Sequence, residues 1–195
     1  MYKLVKVKDV VRIPPNLLGK PIEEAALFAL KEKYEGTLDS DLGFVIMILK
    51  VIDIGLGKII PGDGATYHEV EFEALTFKPE LHEVVEGEVI EVVSFGVFVR
   101  LGPMDGLCHI SQITDDFISY DPKRASLLGK ETGRVLSEGD RVRARITAIS
   151  LKGSKGGRIG LTMRQPFLGK LEWIKEEVKR IEAEKEEKKD ERKGM

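Results

Sequence analysis

The stretch GLGKIIPGDG, residues 55–64, places four glycines and a lysine between two strand-like runs, a composition that suggests a phosphate-binding loop. A Walker A loop needs G-x-x-x-x-G-K followed by Ser or Thr, and it opens a helix. Here Gly57 and Lys58 are followed by Ile59 and Ile60, and the next run is strand-like. Because no helix N-terminus follows to receive a phosphate, the pattern argues against nucleotide binding.

Two interpretations of this loop remain. The glycines can supply the positive φ angles of a plain hairpin turn. A ten-residue loop with Ile59 and Ile60 near its tip is longer than a turn requires, however, and exposed apolar side chains favour a docking point.

Residue types that hold metals or act as nucleophiles are sparse. The one cysteine, Cys108, has no partner for an intrachain disulfide, and the three histidines (His68, His82 and His109) are scattered without metal-ligand spacing. The sequence also lacks a recognisable nucleophile–base pair. We therefore expect a protein with no catalytic residues, no metal and no cofactor.

The apolar runs are short. FVIMIL, the longest, falls far below the ~20 residues of a membrane-spanning helix, and the N-terminus lacks the apolar stretch of a signal peptide. We expect a cytoplasmic protein without a membrane partner.

Charge is unevenly distributed along a chain whose net charge is −2. Residues 141–169 contain no acidic side chain and seven basic ones: Arg141, Arg143, Arg145, Lys152, Lys155, Arg158 and Arg164. Such a basic strip favours a polyanionic partner, although a solvated strand face would show the same pattern.

Residues 1–80 predict a helix packed on a small antiparallel sheet. The helix is expected to begin after Pro21 and to end before Gly36. The runs that fit these elements are strands at 2–13, 43–54 and 66–77 and a helix at 22–35.

Residues 81–169 predict five short strands with glycine at the bends, which is typical of a small closed barrel of the OB type. We expect turns at Gly102–Pro103 and Asp105–Gly106 and an irregular stretch over 112–138, and we place the domain boundary near Pro79–Glu80.

Residues 170–195 form a charged C-terminal segment, with a helix expected to be docked up to about Ile181. Its predicted apolar stripe consists of Phe167, Leu171, Ile174, Val178 and Ile181.

Two segments resemble one family. GKIIPGDGATYHEVEFEALTFKPELHEVVEGEV (57–89) and MRQPFLGKLEWI (163–174) are similar to the E′ subunit of archaeal DNA-directed RNA polymerase, the counterpart of the seventh subunit of eukaryotic RNA polymerase II. The resemblance implies an α+β fold: an N-terminal truncated ribonucleoprotein-like domain, a five-stranded OB-fold barrel and a C-terminal amphipathic helix. It also implies that the first domain, 1–80, docks on the polymerase core through a tip loop. The expected docking residues are Gly55, Gly57, Lys58, Ile59, Ile60, Pro61, Gly62 and Asp63.

The second half, 81–169, resembles the RNA-binding OB domain named after ribosomal protein S1, through SFGVFV, GLCHIS, EGDRV and RIGLTM. Aromatic rings, an imidazole and a guanidinium on one barrel face can stack bases and hold the backbone of a single strand. The expected RNA-binding residues are Phe95, Phe98, His109, Arg143, Arg145, Lys152, Lys155 and Arg158.

Phe95 is ambiguous. Strict alternation puts Phe95 and Phe98 on opposite faces of a strand, so that one of them belongs to the core. A bulge or bend at Gly96 would instead turn both rings toward RNA.

The resemblance implies a non-catalytic stalk subunit of DNA-directed RNA polymerase that forms a heterodimer with the small F subunit of that enzyme. Such a stalk protein binds emerging single-stranded RNA and supports initiation, elongation and termination. The alternative is a free-standing RNA-binding translation or RNA-decay factor, which would have no need of the tip loop.

Overall fold

The computed structural model describes residues 1–151 and 157–193, and the chain divides into two compact units between Pro79 and Glu80. Among the described residues, no helix combines the length and the apolar character that crossing a membrane requires.

The first unit is an antiparallel sheet with one helix packed on it. The strands follow the order β1-β5-β3-β2, and β4 pairs with β5. Its elements are β1 (Tyr2–Ile13), α1 (Ile22–Tyr34), β2 (Leu38–Asp39), β3 (Gly43–Ile54), β4 (Lys58–Ile59) and β5 (Thr66–Phe77).

The alternation of β5 explains this core. Val70, Phe72 and Ala74 are buried between the sheet and α1, while Glu69 lies exposed on the other side. Since successive side chains of a strand point to opposite faces, a period of two suits a sheet that is covered on one side. The helix ends before Gly36, whose positive φ of 75° suits the glycine expected there.

The second unit is a closed barrel with an inserted sheet and a C-terminal helix. The barrel sheet follows the order β13-β8-β7-β6-β12-β14, and β13 also pairs with β12 to close the ring. The strands of this sheet are β6 (Val84–Val93), β7 (Gly96–Arg100), β8 (Asp105–His109), β12 (Arg141–Ser150), β13 (Arg158–Thr162) and β14 (Gly169–Lys170), and the helix is α2 (Leu171–Lys193). The predicted α+β fold with an OB-type barrel and a C-terminal helix is confirmed.

Three local predictions are wrong. Asp105 and Gly106 lie in β8 rather than in a turn. Gly106 leaves room there for the buried side chain of Leu161, whose Cδ1 would lie 2.7 Å from a Cβ at this position. Residues 112–138 are not irregular, since they contain a second sheet made of β9 (Ile118–Asp121), β10 (Ser126–Gly129) and β11 (Val135–Ser137). Two members of the predicted C-terminal stripe are exposed: Phe167, which precedes α2 at a φ of 61°, and Val178. The predicted Ile174 is buried, together with Trp173, which the stripe did not include.

Candidate functional site

The outer face of the barrel strands β7 and β8 gathers an aromatic ring and an imidazole. Val97 and Cys108 pair across the two strands and point into the core, where both are fully buried. Phe98 and His109 therefore lie on the opposite, outer face, where Phe98 is half-buried and His109 is exposed.

Phe95 joins Phe98 through a tight turn. Val93 pairs with Gly96, so Ser94 and Phe95 form the turn between β6 and β7, and the alternation rule does not extend to Phe95. Its side chain is 47% exposed, and the two ring centroids lie 6.3 Å apart at an interplanar angle of 85°. The core alternative for Phe95 is wrong: the exposed Phe95 ring packs against the half-buried Phe98 ring on the outer face of the barrel.

Gly96 permits this arrangement because the backbone of β8 passes very close to it. A Cβ at this position would lie 2.2 Å from the carbonyl oxygen of Cys108. The residues that follow β8 stay close to the turn, because the backbone N–H of Ile110 donates to the carbonyl of Phe95 at 2.9 Å. A larger residue at 96 would force the turn away from β8.

His109 is held in one orientation by the residues that follow it. Its Nδ1 accepts from the backbone N–H of Ser111 at 3.3 Å and lies 2.9 Å from Ser111 Oγ. A backbone N–H can only donate, so Nδ1 is an acceptor and the proton of the neutral ring is on Nε2. His109 thus presents a donor suited to a phosphate or a base edge. The pair Phe95 and Phe98 together with His109 is called the ring cluster below.

Arg158 lies on the neighbouring strand but not beside His109. Ile159 is level with Gly106 in the parallel pairing of β13 and β8, which places Arg158 level with Asp105. Asp105 is four residues from His109, or about 13 Å along the strand. The exposed guanidinium can therefore contact a neighbouring nucleotide of a bound strand rather than the same one.

Arg143 and Arg145 point out from β12, away from the ring cluster. The carboxylate of Glu86 on β6 accepts from Arg143 Nε at 3.0 Å and from Nη2 at 2.8 Å. Arg145 is half-buried, and its Nε is buried without a hydrogen-bond partner among the residues the structure describes. Lys152 and Lys155 lie outside the described residues.

The tip loop of the first unit exposes three apolar side chains. Ile59 is 74% exposed and Ile60 is 48% exposed, as the sequence suggested. Leu56, which sequence reasoning missed, is 94% exposed. A signal was available, because Leu56 is an apolar residue between Gly55 and Gly57, where a flexible backbone leaves a side chain without neighbours to cover it.

Asp63 fixes the shape of this loop. Arg12 on β1 donates to both of its carboxylate oxygens at 2.8 Å, the Tyr67 hydroxyl donates at 2.7 Å, and the backbone N–H of Ala65 at 3.1 Å. The hydrogen bonds from Arg12 hold the pKa of Asp63 well below its usual range. Since these contacts engage both oxygens of Asp63, the carboxylate shapes the loop, whereas Lys58 is exposed and suited to contacting a partner.

His68 contacts the backbone at the N-terminal end of the loop, at Gly55 and Gly57. Its ring is buried, with Nδ1 lying 3.0 Å from the carbonyl oxygen of Gly55 and Nε2 lying 3.1 Å from Thr66 Oγ1. A Cβ on Gly57 would lie 2.6 Å from the ring. The glycine therefore lets the backbone pass directly against the His68 ring. These contacts give the loop a defined conformation, which an unconstrained turn would not have.

The remaining reactive groups are not arranged as a catalytic or metal site. Burial raises the pKa of the Cys108 thiol to about 12, which makes it a core residue rather than a nucleophile. Within the described residues, no group of three or more His, Cys, Asp or Glu side chains is placed to hold a metal ion.

Comparison with known proteins identifies both units. The family described as "SHS2 domain found in N terminus of Rpb7p/Rpc25p/MJ0397" matches residues 8–64, and the family described as "S1 RNA binding domain" matches residues 78–163.

Several relatives match over most of their length. DNA-directed RNA polymerase subunit Rpo7 of Saccharolobus shibatae is 54% identical, covering 89% of this chain and 97% of the relative. Subunit Rpo7 of Sulfolobus acidocaldarius is 48% identical, covering 91% and 97%. DNA-directed RNA polymerase II subunit rpb7 of Schizosaccharomyces pombe is 26% identical, covering 87% and 99%.

Proposed function

Because this chain belongs to the family of DNA-directed RNA polymerase subunit Rpo7, we propose that it is a non-catalytic stalk subunit of that enzyme. The first unit docks on the polymerase core through the tip loop. The second unit binds emerging single-stranded RNA, and the chain forms a heterodimer with the small F subunit of the polymerase. In this position it supports initiation, elongation and termination.

The observation that carries RNA binding is the ring cluster on the outer face of the barrel. Phe95 and Phe98 meet edge to face, so each ring keeps apolar surface available to a base. Stacking on an aromatic side chain tolerates every base, because each base has a π-face. The Nε2–H of His109 and the guanidinium of Arg158 add donors for the backbone. This chemistry suits an RNA of changing sequence.

The observation that supports docking is the contrast between the tip loop's rigid base and its apolar tip. Asp63 and His68 fix the base of the loop by hydrogen bonds, while Leu56, Ile59 and Ile60 remain exposed. Exposed apolar residues on a fixed loop favour a protein contact. A free-standing RNA-binding factor would gain nothing from this loop, so the polymerase subunit is the better candidate.

The RNA-binding proposal is tested by titrating labelled single-stranded RNA with the full chain. Phe98→Ala should cost about 1–3 kcal/mol, the value of one lost stack. Phe28→Ala, which removes a ring of 53% exposure from the first unit, is the matched control and should leave the affinity unchanged. Equal RNA affinity of the wild type and the Phe98 variant would refute the assignment of the ring cluster.

The salt dependence of the same titration separates the arginines. Arg158→Ala should flatten the dependence of affinity on salt more than Arg143→Ala, because Glu86 already compensates the charge of Arg143.

The assembly proposal is tested separately, by co-purification of the tagged chain with the F subunit and the polymerase core. Recovery of the chain alone from cells that contain both partners would contradict it.

A further inference from the structure

The second unit carries an inserted sheet, β9–β11, whose two faces differ. One face supplies Leu127 and Leu136, both almost fully buried, and forms a small cavity together with Ile113 and Trp173. The insertion is therefore fixed to the unit through an apolar core. Its other face, called the outer insertion face below, lies toward solvent.

The outer insertion face is defined by register. Leu128 pairs with Ser119 on β9 and with Val135 on β11, so these side chains share a face. The ladder continues one step further, because the backbone N–H of Lys130 donates to the carbonyl of Phe117 at 2.9 Å. Phe117 and Lys130 are each two residues from this set, and alternation places them on the same face.

Phe117 is the most exposed aromatic ring of the described chain, at 67%. The ammonium of Lys130 lies 4.6 Å from the ring centroid, within the range of a cation–π contact. A ring with a cation beside it offers a base a stacking surface and offers the attached phosphate a counter-charge.

The ring is held in place by the residue before it. The Asp116 carboxylate accepts from the Thr132 hydroxyl at 2.6 Å and from the backbone N–H groups of Glu131 and Thr132 at 3.0 Å each. These bonds join the start of β9 to the loop that follows β10. Gly129 is required in this clamp, because a Cβ there would lie 2.3 Å from Asp116 Oδ2. The clamp fixes Phe117, while the Asp116 carboxylate keeps its negative charge because all of its donors are neutral.

A chain of contacts leads from the ring cluster to the outer insertion face. His109 is bonded to Ser111, and Arg164 Nη1 donates to the Ser111 carbonyl at 3.5 Å. Arg164 Nε in turn donates to Asp115 at 2.6 Å, two residues before Phe117. The exposed side chain of Arg164 therefore links the segment that follows His109 to the segment that precedes Phe117.

We propose that Phe117 and Lys130 form a second stacking platform that extends the single-stranded RNA path from the ring cluster across Arg164 to the outer insertion face. This inference rests on the proposed RNA binding of the barrel. The ligand is an unpaired base with its phosphate, several nucleotides along the strand from the base on Phe98. Binding sites on OB folds cover about 4–16 nucleotides, more than the two or three bases that a few rings can stack.

The cation beside the ring favours RNA over a protein as the occupant. Arg134 of the insertion is paired with Glu177 at 3.1 Å and packs over Trp173, so its charge does not belong to the outer insertion face. The other charged side chains of residues 117–137 (Lys123, Arg124 and Lys130 against Asp121 and Glu131) give a net of +1, which the Asp116 carboxylate offsets, while Asp115 is paired with Arg164. Because the face carries no excess of negative charge and Lys130 lies beside the Phe117 ring, the phosphate of a stacked base meets a cation there.

The test compares two lengths of oligouridine, about 5 and about 15 nucleotides, bound to the full chain. Phe117→Ala should weaken binding of the longer RNA about five- to a hundredfold and leave the shorter RNA unchanged. Lys130→Gln should weaken the longer RNA less and reduce its salt dependence. Phe28→Ala removes a 53% exposed ring of the first unit, where the Lys20 ammonium lies 5.9 Å from the ring centroid. It is the matched control and should change the affinity for neither RNA by more than about twofold.

The outcomes separate the two proposals. If Phe98→Ala weakens both RNAs while Phe117→Ala weakens neither, the barrel binds RNA and the extension is wrong. An equal loss at both lengths in Phe117→Ala also overturns the extension, as does weakened assembly with the polymerase at unchanged RNA affinity. Failure of the wild type to bind either RNA refutes the proposed RNA binding itself. Because Phe117 is largely exposed, its variant should keep the circular dichroism spectrum of the wild type.

Discussion

The tip loop offers the sharpest test of docking. We consider two variants, Leu56→Asp alone and Ile59→Asp combined with Ile60→Asp. Each replaces an exposed apolar side chain by a charge that cannot be buried against a partner without cost. The loop should keep its shape in both, because its hydrogen bonds come from Asp63 and His68, which are unchanged.

The structure sets the size of the effect. Complete burial of a leucine or isoleucine side chain contributes about 1.5–3 kcal/mol. Scaled by the exposed fractions of 94%, 74% and 48%, burial offers about 1.4–2.8 kcal/mol for Leu56, 1.1–2.2 for Ile59 and 0.7–1.4 for Ile60. The double variant should therefore bind the core roughly 20- to 400-fold more weakly, and Leu56→Asp alone about 10- to 100-fold.

The assay is a titration of immobilised polymerase core with each folded variant, beside an RNA titration of the same preparations. Leu18→Asp is the matched control, because Leu18 lies in the first unit and its 47% exposure equals that of Ile60 within one per cent. RNA affinity should be unchanged in all variants, since the ring cluster lies in the other unit. If the folded double variant binds the core within about threefold of the wild type, a difference of less than about 1 kcal/mol, the loop is only a turn and the docking argument fails.

Three further predictions concern buried or clamped groups of the second unit. Burial raises the pKa of Cys108 to about 12, so a thiol reagent at about pH 8 should label the unfolded chain but not the native one, as measured by colour yield. The hydrogen bonds from Thr132 hold the pKa of Asp116 at about 2. The stability that this carboxylate contributes is therefore complete above about pH 4 and lost as the pH falls through about 2. Between these pH values, the denaturant midpoint of Asp116→Asn should change less with pH than that of the wild type. Gly96→Ala should displace the turn that carries Phe95 and weaken RNA binding at a nearly unchanged circular dichroism spectrum, whereas native RNA affinity would show that the turn absorbs the added methyl group.

Long periodic segments could be predicted from the sequence because burial of one face dictates their pattern. The strand predicted at 66–77 coincides with β5, and the helix predicted at 22–35 differs from α1 by one residue at its end. The strands of the insertion could not be found in this way, since β9, β10 and β11 have four residues or fewer and show too little alternation. Phe117 was missed for the same reason.

The geometry of the ring cluster also could not be predicted from the periodicity of the sequence. Periodicity assumes that a strand continues, so it places Phe95 and Phe98 on opposite faces, whereas a turn at Ser94 and Phe95 ends the strand between them. A bend at Gly96 is a reasonable expectation from sequence, but its cause is a contact with Cys108 on another strand. A contact between residues twelve positions apart leaves no periodic trace in either segment.

The basic strip shows most clearly what linear charge counting cannot decide. Residues 141–169 contain seven cations and no anion, yet Glu86 engages Arg143 from 57 positions away and Asp115 engages Arg164 from 49. A compensated guanidinium releases fewer counterions from RNA than a free one, since its own carboxylate competes with the phosphate. Recognition by this unit should therefore depend more on ring stacking, and less on net attraction, than the strip implies. That balance suits the proposed binding of single-stranded RNA of varied sequence, because stacks of modest strength hold a strand without fixing its register.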